Sequence, residues 1–577
     1  MRIALAQLNP VSGDVHGNTE RVLRAICEAR DRGAALLVAP EMTIPGYCIG
    51  DLIENAAFLA ANERAIARVA DAARGLTVVV GFIDTDPSRP DEGGGVVKYN
   101  AAAVVRDGRV LQRARKTLLP NYRYFDDKRY FTPAASRQPV EIDAGGAPLR
   151  LGVSICEDMW DDYYAVKPLK ELTAAGAELI LNINASPFYP GKRLERDALI
   201  RRHVRELGRP IVYVNTVGAA DNGKNIIPFD GESLVYDADG RLLAIGRQFA
   251  EDLLVVDLAA SPPEALTPPP VEREREIFEA LRLSLVDYMR KTGFSRAVVP
   301  VSGGIDSALA LAIAADALGA AQVSAFNLPS RYNTEVTRSI AARVASAFGV
   351  PYGVIPIQRI DDEVRSVFEA HAHPIARGLT RENLHARIRG LLMMAESNDT
   401  GSLLISCGNE TEIALGYATL YGDMCGGVSL IGDLSKVDVY RLARHVNERH
   451  GAEMIPEETF RLRPSAELAE GQFDPFDYYV VAPVVGELVE VRRSPSELVE
   501  LFARRALDPY RFVADPDGRS VYDKHTVETF RAVVADAFGR MRRSVYKRLQ
   551  GPPIVAVTQR AFGFDLRETI INGWTGQ

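Results

Sequence analysis

The 577-residue sequence has few cysteines and no pairing pattern among them. Cys27, Cys48, Cys156, Cys407 and Cys425 are odd in number and lack Cys-x-x-Cys spacing. This excludes a disulfide framework and a cysteine zinc site, and suits a reducing cytoplasm. No apolar run is long enough to cross a bilayer, and residues 1–10 read as a short strand rather than a signal peptide. An excess of positive charge is also missing. The formal net charge is -8, which argues against a general nucleic-acid-binding surface. There is no internal repeat, and no glycine-rich loop ends in Gly-Lys-Ser/Thr. What remains, 47% hydrophobic and 25% charged residues, describes an ordinary globular protein too long for one core, so two or more domains are expected.

The clearest seam is Ser261-Pro262-Pro263-Glu264-Ala265-Leu266-Thr267-Pro268-Pro269-Pro270, which reads as a stiff linker over residues 261–271. It divides the chain into residues 1–260 and 272–577. Before it, β-like runs such as Thr77-Val78-Val79-Val80-Gly81-Phe82 and Leu179-Ile180-Leu181-Asn182-Ile183 alternate with charged amphipathic segments such as residues 20–32, the pattern of α/β layers. After it, residues 272–290 have a helical pattern and further α/β alternation follows.

The most informative hexapeptide is Ser302-Gly303-Gly304-Ile305-Asp306-Ser307, set between an apolar run at 297–301 and a small-residue helix pattern from Ala308. A strand, a glycine turn and a helix N-terminus bring backbone N–H groups and the positive end of a helix dipole onto one anion, so the loop is built for phosphate. Ser302 and Ser307 add hydroxyl donors, and Asp306 offers an oxygen to a Mg²⁺ that escorts a polyphosphate. Downstream, Asn383 and Arg387 stand one helical turn apart. Glu412 follows a strand and a glycine turn and reads as a second Mg²⁺ ligand.

In the first half, three side chains stand where strands give way to loops: Glu41 after Pro40, Lys116 before Thr117-Leu118-Leu119-Pro120, and Cys156 after Gly152-Val153-Ser154-Ile155. Singly they read as a solvated carboxylate, a surface charge and a small buried hydrophobe. Together they supply what amide hydrolysis needs: a nucleophile in Cys156, a base in Glu41 and an oxyanion partner in Lys116.

This triple resembles the Glu-Lys-Cys set of the nitrilase superfamily. The glycine hexapeptide resembles the pyrophosphate loop of the N-type ATP pyrophosphatases, which adenylate an oxygen and let ammonia displace AMP. A longer series is similar to the glutamine-dependent NAD synthetases over nearly the whole chain: Pro45-Gly46-Tyr47, Leu119-Pro120-Asn121-Tyr122, Asn184-Ala185-Ser186-Pro187-Phe188, Leu328-Pro329-Ser330-Arg331-Tyr332, Leu420-Tyr421-Gly422-Asp423, Asp433-Leu434-Ser435-Lys436 and Tyr546-Lys547-Arg548. The resemblance implies an α/β protein, a nitrilase-like α-β-β-α sandwich joined to a Rossmann-like parallel-sheet ATP pyrophosphatase domain. It implies glutamine cleavage through a thioester at Cys156, internal transfer of ammonia, and adenylation of deamido-NAD by MgATP. By the same resemblance Tyr122, Ser186 and Lys192 lie around glutamine. Ser302, Gly303, Gly304, Asp306, Ser307, Arg331, Thr411, Lys436 and Ser465 meet ATP; Asn383, Arg387, Asp423, Lys547 and Arg548 hold deamido-NAD; Asp306 and Glu412 take Mg²⁺. The partners implied are small molecules, with no nucleic acid and no membrane, and a homo-oligomer that keeps ammonia from solvent.

The sequence departs from that pattern at five places. Asp127 stands where a second glutamate is usual, residues 221–231 are longer than the usual link, Pro300 replaces a glycine, Cys407 a threonine and Glu410 a lysine. The reversed charge at Glu410, close to the metal, is expected to weaken affinity for ATP. Two other readings stay open on the residues alone. One is an amidotransferase with another adenylated acceptor; the other is a nucleotide-binding or regulatory protein with one decayed domain, supported by Glu410 and Asp127.

Overall fold

The computed structural model describes residues 1–258, 266–371, 373–375, 378–465, 467–469, 471 and 473–572, so the leading half of the expected linker, residues 261–265, lies outside the described residues. Contacts divide the chain into two compact units, Met1–Asn222 with Ile227–Arg273, and Gly223–Ile226 with Glu274–Gln577.

The first unit is built on two six-stranded sheets. One has the order β14-β1-β2-β3-β4-β5, from β1 (Arg2–Gln7), β2 (Leu36–Val38), β3 (Thr77–Pro90), β4 (Val96–Arg106), β5 (Arg109–Arg115) and β14 (Asp252–Asp257). The other has the order β13-β12-β9-β8-β7-β6, from β6 (Val140–Asp143), β7 (Pro148–Ile155), β8 (Leu179–Asn184), β9 (Ile211–Asn215), β12 (Leu234–Tyr236) and β13 (Leu242–Ile245). Alternation along each strand sorts its side chains into two layers. Ile3, Leu5, Val38 and Val79 meet Val153, Leu181 and Val214 in the core between the sheets. Ala4, Leu37, Val78 and Val80 face the other way, under Val22 and Ile26 of helix Val15–Asp31 and Ile66 and Val69 of helix Ala56–Ala72. The second sheet has its own outer layer, where Leu199, Ile200 and Val204 of helix Lys192–Leu207 cover Ile180, Ile211 and Tyr236. This is the α-β-β-α sandwich. Strands covered on both faces need continuous apolar runs, which is why Thr77-Val78-Val79-Val80 reads as it does.

The second unit carries a parallel sheet of β15 (Ala297–Pro300), β16 (Val323–Asn327), β17 (Tyr352–Val354), β18 (Leu403–Ser406), β19 (Val428–Ser429) and β20 (Ile554–Val555), in the order β20-β19-β18-β15-β16-β17. The chain runs outward from β15 to β17, then restarts beside β15 at β18, so the strand order reverses between β15 and β18. Ligands of doubly wound sheets bind in the crevice at the carboxyl ends of the strands where the order reverses. Pro300 is tolerated because it ends β15, where its missing N–H breaks no central pairing.

Part of the long segment at residues 221–231 is built into the sheet of the second unit. Strands β10 (Val217–Asp221) and β11 (Asn225–Asp230) flank its start; Gly223–Ile226 belongs to the second unit, where Asn225 and Ile226 of β11 pair in parallel with Ile554 and Val555. In the described part of the linker, Leu266 N–H donates to Leu242 O at 3.3 Å and the Arg193 guanidinium donates to Pro269 O, so this part is tied to the first unit.

Candidate active sites

In the first unit, β7 ends at Ile155 and Cys156 follows with φ +46°, a left-handed conformation that a non-glycine residue adopts only where its surroundings impose it. Asp158 imposes it. One carboxylate oxygen accepts Ile155 N–H at 3.0 Å, and the other accepts the N–H groups of Thr117 and Leu118 at 2.9 and 2.8 Å. The turn that carries the nucleophile is thereby tied to the turn that carries Lys116. Glu41 arrives from the turn after β2. The neighbouring strand passes so close that a Cβ on Gly81 would lie 2.3 Å from Met42 N and 2.4 Å from Pro40 O, so only glycine fits there.

The Lys116 ammonium is buried and lies 2.7 Å from Glu41 Oε1 and 2.7 Å from Asp127 Oδ2. Burial alone would pull its pKa down, but Asp127 and Glu41 outweigh that and hold it well above the usual lysine value. Two of its three donors are spent on carboxylates, leaving one for an oxyanion. Asn100 Nδ2 donates to Glu41 Oε1 at 2.7 Å, and Ala185 N–H donates to Glu41 Oε2 at 2.8 Å. Oε2 thus keeps a lone pair free for the thiol proton. Burial, then Glu41, push the Cys156 thiol well above its ordinary pKa, so the resting nucleophile is a protonated thiol that needs its base. Asp127 is one methylene shorter than the usual glutamate and still reaches Lys116.

Around this centre, the Tyr122 hydroxyl donates to Glu157 at 3.0 Å and Tyr164 to the same carboxylate at 2.9 Å. Lys192 lies 3.8 Å from the centroid of the Trp160 ring and donates to the Tyr189 hydroxyl at 3.0 Å. Burial pulls its pKa down to about 8. Ser186 is buried two residues beyond the end of β8. Sequence reasoning missed Asn100 and Asp158. The acid two residues after the cysteine was the only local signal for either.

In the second unit, the hexapeptide forms the expected turn after β15. Ser302 N–H donates to Ser307 Oγ at 3.2 Å, and Ser307 Oγ donates to Gly304 O at 3.0 Å. Gly303 has φ +93°, and a Cβ there would lie 2.0 Å from Thr337 O. Helix Ile305–Leu318 begins at this turn and is apolar and buried nearly all round, which fixes its N-terminus at the crevice. The loop after β18 provides the other wall. Asn409 caps helix Glu410–Leu415 and its Nδ2 donates to Asp306 Oδ1 at 2.8 Å. The Lys436 ammonium binds Asp306 Oδ2 and also lies 3.3 Å from Glu412 Oε1. Lys436 opens a helix capped by Ser435, and its backbone N–H donates to Thr411 Oγ1 at 3.1 Å. Burial pushes the Glu412 carboxyl up to about 8, against the pull of Lys436.

A cavity of about 470 Å³ opens here, lined among others by Ser302, Gly304, Asp306, Ser307, Cys407, Glu412, Asp423, Lys436 and Ser465. Two carboxylates bridged by a cation, beside a phosphate turn, fit Mg²⁺, which takes one or two protein carboxylates and fills its remaining positions with water and substrate phosphate. Among the described residues no group of three or more His, Cys, Asp or Glu is placed to hold a metal.

The other expected nucleotide residues gather on one turn. Asn383 Oδ1 accepts Thr419 Oγ1–H at 2.9 Å, Arg387 Nε donates to Leu420 O at 3.2 Å, Lys547 Nζ donates to Gly416 O and Ala418 O at 2.8 Å, and Asp423 accepts Thr419 N–H at 2.7 Å. Arg548 is bonded to Glu568 and Ala414 O and is among the residues that line the cavity. Arg331 pairs with Asp362 at the surface.

Glu410 corrects an expectation. It does not line the cavity, and its fully buried carboxylate has no hydrogen-bond partner among the described residues. Burial, then Glu490 and Asp433, push its pKa well above the usual carboxylate value, so it carries its proton and adds no charge to the phosphate site. Glu410→Gln is therefore expected to leave the KM for ATP within about twofold of wild type, since no Coulomb interaction with the polyphosphate is lost. A steady-state ATP titration checks this.

The folds and sites together define a two-centre amidotransferase, with a cysteine amide hydrolase in one unit and a nucleotide-activating centre in the other. Residues 2–262 match the carbon-nitrogen hydrolase family and residues 277–504 match NAD synthase. The chain is 36% identical to the glutamine-dependent NAD(+) synthetase of Thermotoga maritima, over 99% of this chain and 98% of that protein. It is 38% identical to that of Xanthomonas campestris, over 100% and 98%. The solved glutamine-dependent NAD+ synthetase of Acinetobacter baumannii, in complex with ADP, superposes with a TM-score of 0.72 at 30% identity, covering 100% of this chain and 99% of that one. The chain belongs to the family of glutamine-dependent NAD(+) synthetases. The regulatory reading loses its support, because Asp127 reaches Lys116 and Glu410 lies off the cavity.

Proposed function

We propose that the chain makes NAD⁺ from deamido-NAD⁺, ATP and L-glutamine, releasing AMP, diphosphate and L-glutamate. The observation that carries this is the presence in one chain of a complete amide-cleaving centre and a phosphate turn facing a two-carboxylate cradle.

In the first centre, Cys156 Sγ attacks the carboxamide carbon of glutamine while Glu41 Oε2 takes the thiol proton. The remaining Lys116 donor holds the oxyanion, and Glu41 returns the proton to the leaving nitrogen, which departs as ammonia. Water then hydrolyses the thioester. In the second centre, the nicotinate carboxylate attacks the α-phosphorus of ATP and diphosphate leaves. The N–H groups at the start of helix Ile305–Leu318, Ser302, Ser307 and Lys436 meet the charge that develops on it. Asp306 and Glu412 would hold Mg²⁺, which when bound neutralises polyphosphate charge. Ammonia attacks the acyl adenylate and AMP departs.

We place glutamine by its charges. Lys192 is a largely buried cation beside Trp160 and Tyr189, paired with Glu195 at 3.1 Å, and takes the α-carboxylate; Tyr122 and Ser186 complete the pocket. The Lys192 ammonium is present below about pH 8 and is lost above it. The KM for glutamine is therefore expected to rise as pH passes 8, and Lys192→Arg, which keeps its charge, is expected to flatten that rise. Initial rates at fixed ATP across pH 7 to 9.5 check this.

Among the described residues no helix is long and apolar enough to cross a membrane. Five free thiols suit a reducing cytoplasm. We propose that the chain works as a homo-oligomer, which would help keep ammonia from solvent. The deciding assay for the activity supplies amide-¹⁵N glutamine with excess unlabelled ammonium. NAD⁺ that retains the label supports amidation with internal transfer of ammonia. Label diluted to the bulk ratio removes the internal transfer, and no NAD⁺ from either donor removes the function.

A further inference from the structure

One of the buried charges that the mechanism leaves unused stands beside the amide-cleaving centre. Arg196 lies one turn after Lys192 on helix Lys192–Leu207, and its side chain has no exposure. Removing a guanidinium from water is costly unless it is paired and hydrogen-bonded, and Arg196 is paired and bonded through Nη1 and Nη2, with Nε alone left without a partner among the described residues. Nη1 donates to both oxygens of the buried Asp230 at 2.8 Å. Nη2 donates to Ser186 O at 3.0 Å and lies 3.3 Å from Ser186 Oγ. Asn215 completes the frame: its Oδ1 accepts Ser186 N–H at 2.9 Å, and its Nδ2 donates to Ser186 O at 3.3 Å and Asp230 Oδ1 at 3.4 Å. The backbone groups of Ser186 are thus held by buried side chains at the point where β8 has ended.

The residue before it, Ala185, donates its N–H to Glu41 Oε2, the oxygen left to receive the thiol proton. A displacement of the corner at 185–186 therefore moves two things at once, the donor that orients the base and the hydroxyl placed at the substrate. Arg196 has donors only, so Ser186 Oγ accepts from it and its hydroxyl proton is left for an acceptor, the buried Tyr213 hydroxyl beside it or the substrate.

We propose that Arg196, through its ion pair with Asp230, is a positioning residue for the amide-cleaving centre, setting the 185–186 corner against both Glu41 and glutamine. The glutamine half of the proposal rests on the placement of Ser186 given above; the Glu41 half does not.

The test uses the full chain. Lysine cannot reproduce the fork, so Arg196→Lys is expected to lower glutamine-driven kcat and raise the KM for glutamine, each by about tenfold, the cost of one charge-assisted hydrogen bond. Ser186→Ala is expected to raise KM alone. Alkylation of Cys156 by iodoacetamide, which needs Glu41 and no glutamine, is expected to slow in Arg196→Lys and not in Ser186→Ala. Ammonia-driven synthesis, carried by the other unit, is expected to stay at the wild-type rate in both. If Arg196→Lys does not fold, Arg196→Met with Asp230→Asn leaves no charge buried and is expected to show the same two losses. Wild-type kcat and alkylation rate in Arg196→Lys, or losses that track a fall in thermal midpoint and extend to ammonia-driven synthesis, overturn the proposal. An unchanged KM in Ser186→Ala overturns the placement of Ser186 while the alkylation result still decides the role of Arg196.

Discussion

Cys156→Ala is expected to lose glutamine-driven NAD⁺ formation by about 10⁴-fold or more, because no other group in the centre can form the thioester. Lys116, Glu41, Asn100 and Asp127 already bond one another, so their frame survives the loss of the thiol. Ammonia-driven formation is expected to persist, since every residue placed at the phosphate turn belongs to the second unit. The measurement is NAD⁺ formation with saturating glutamine and, separately, saturating ammonium at mildly alkaline pH, where more of the pool is free ammonia. Appreciable glutamine-driven turnover in the variant would remove Cys156 from its role.

Asp306→Asn is expected to do the opposite and impair both donors equally. Asparagine keeps the shape and can still accept from Asn409, but it removes the Asp306 charge that Lys436 binds and that a divalent cation would share. A loss of roughly 100-fold in kcat/KM for ATP, about 2.7 kcal/mol of transition-state stabilisation, is expected, together with a higher Mg²⁺ requirement. Alkylation of Cys156 should proceed at the wild-type rate. Equal synthesis with an unchanged Mg²⁺ requirement would place the cradle outside the chemistry.

Some of this was legible without coordinates because it is local. The phosphate turn needs only a strand, two glycines and a helix start in succession, and those are consecutive residues from 297 to 318. The α/β character of each half followed from apolar runs and their spacing, and the order of the two catalytic halves from the motifs and the family they resemble. Glu410 was misread because its neighbours in sequence, Asn409 and Glu412, do face Asp306 and Lys436. Successive residues of a helix point about 100° apart, so the residue between them turns into the protein, toward Glu490 and Asp433.

By itself the sequence determined which chemical groups the protein owns, a thiol with a carboxylate and an amine, and a phosphate turn with an acid in it. It also determined the strands and helices that carry them, since these depend on patterns a few residues long. Only the tertiary structure decided which groups meet. Asp158 reaches across about 40 residues to Thr117, Ala185 across 144 to Glu41, and Lys436 across 130 to Asp306. Such contacts are set by sheet order and by the packing of one layer on another. No local pattern encodes a distance between strands that are far apart in the chain, so the partners that orient Cys156, Glu41 and Asp306 emerge only when the sheets close around them.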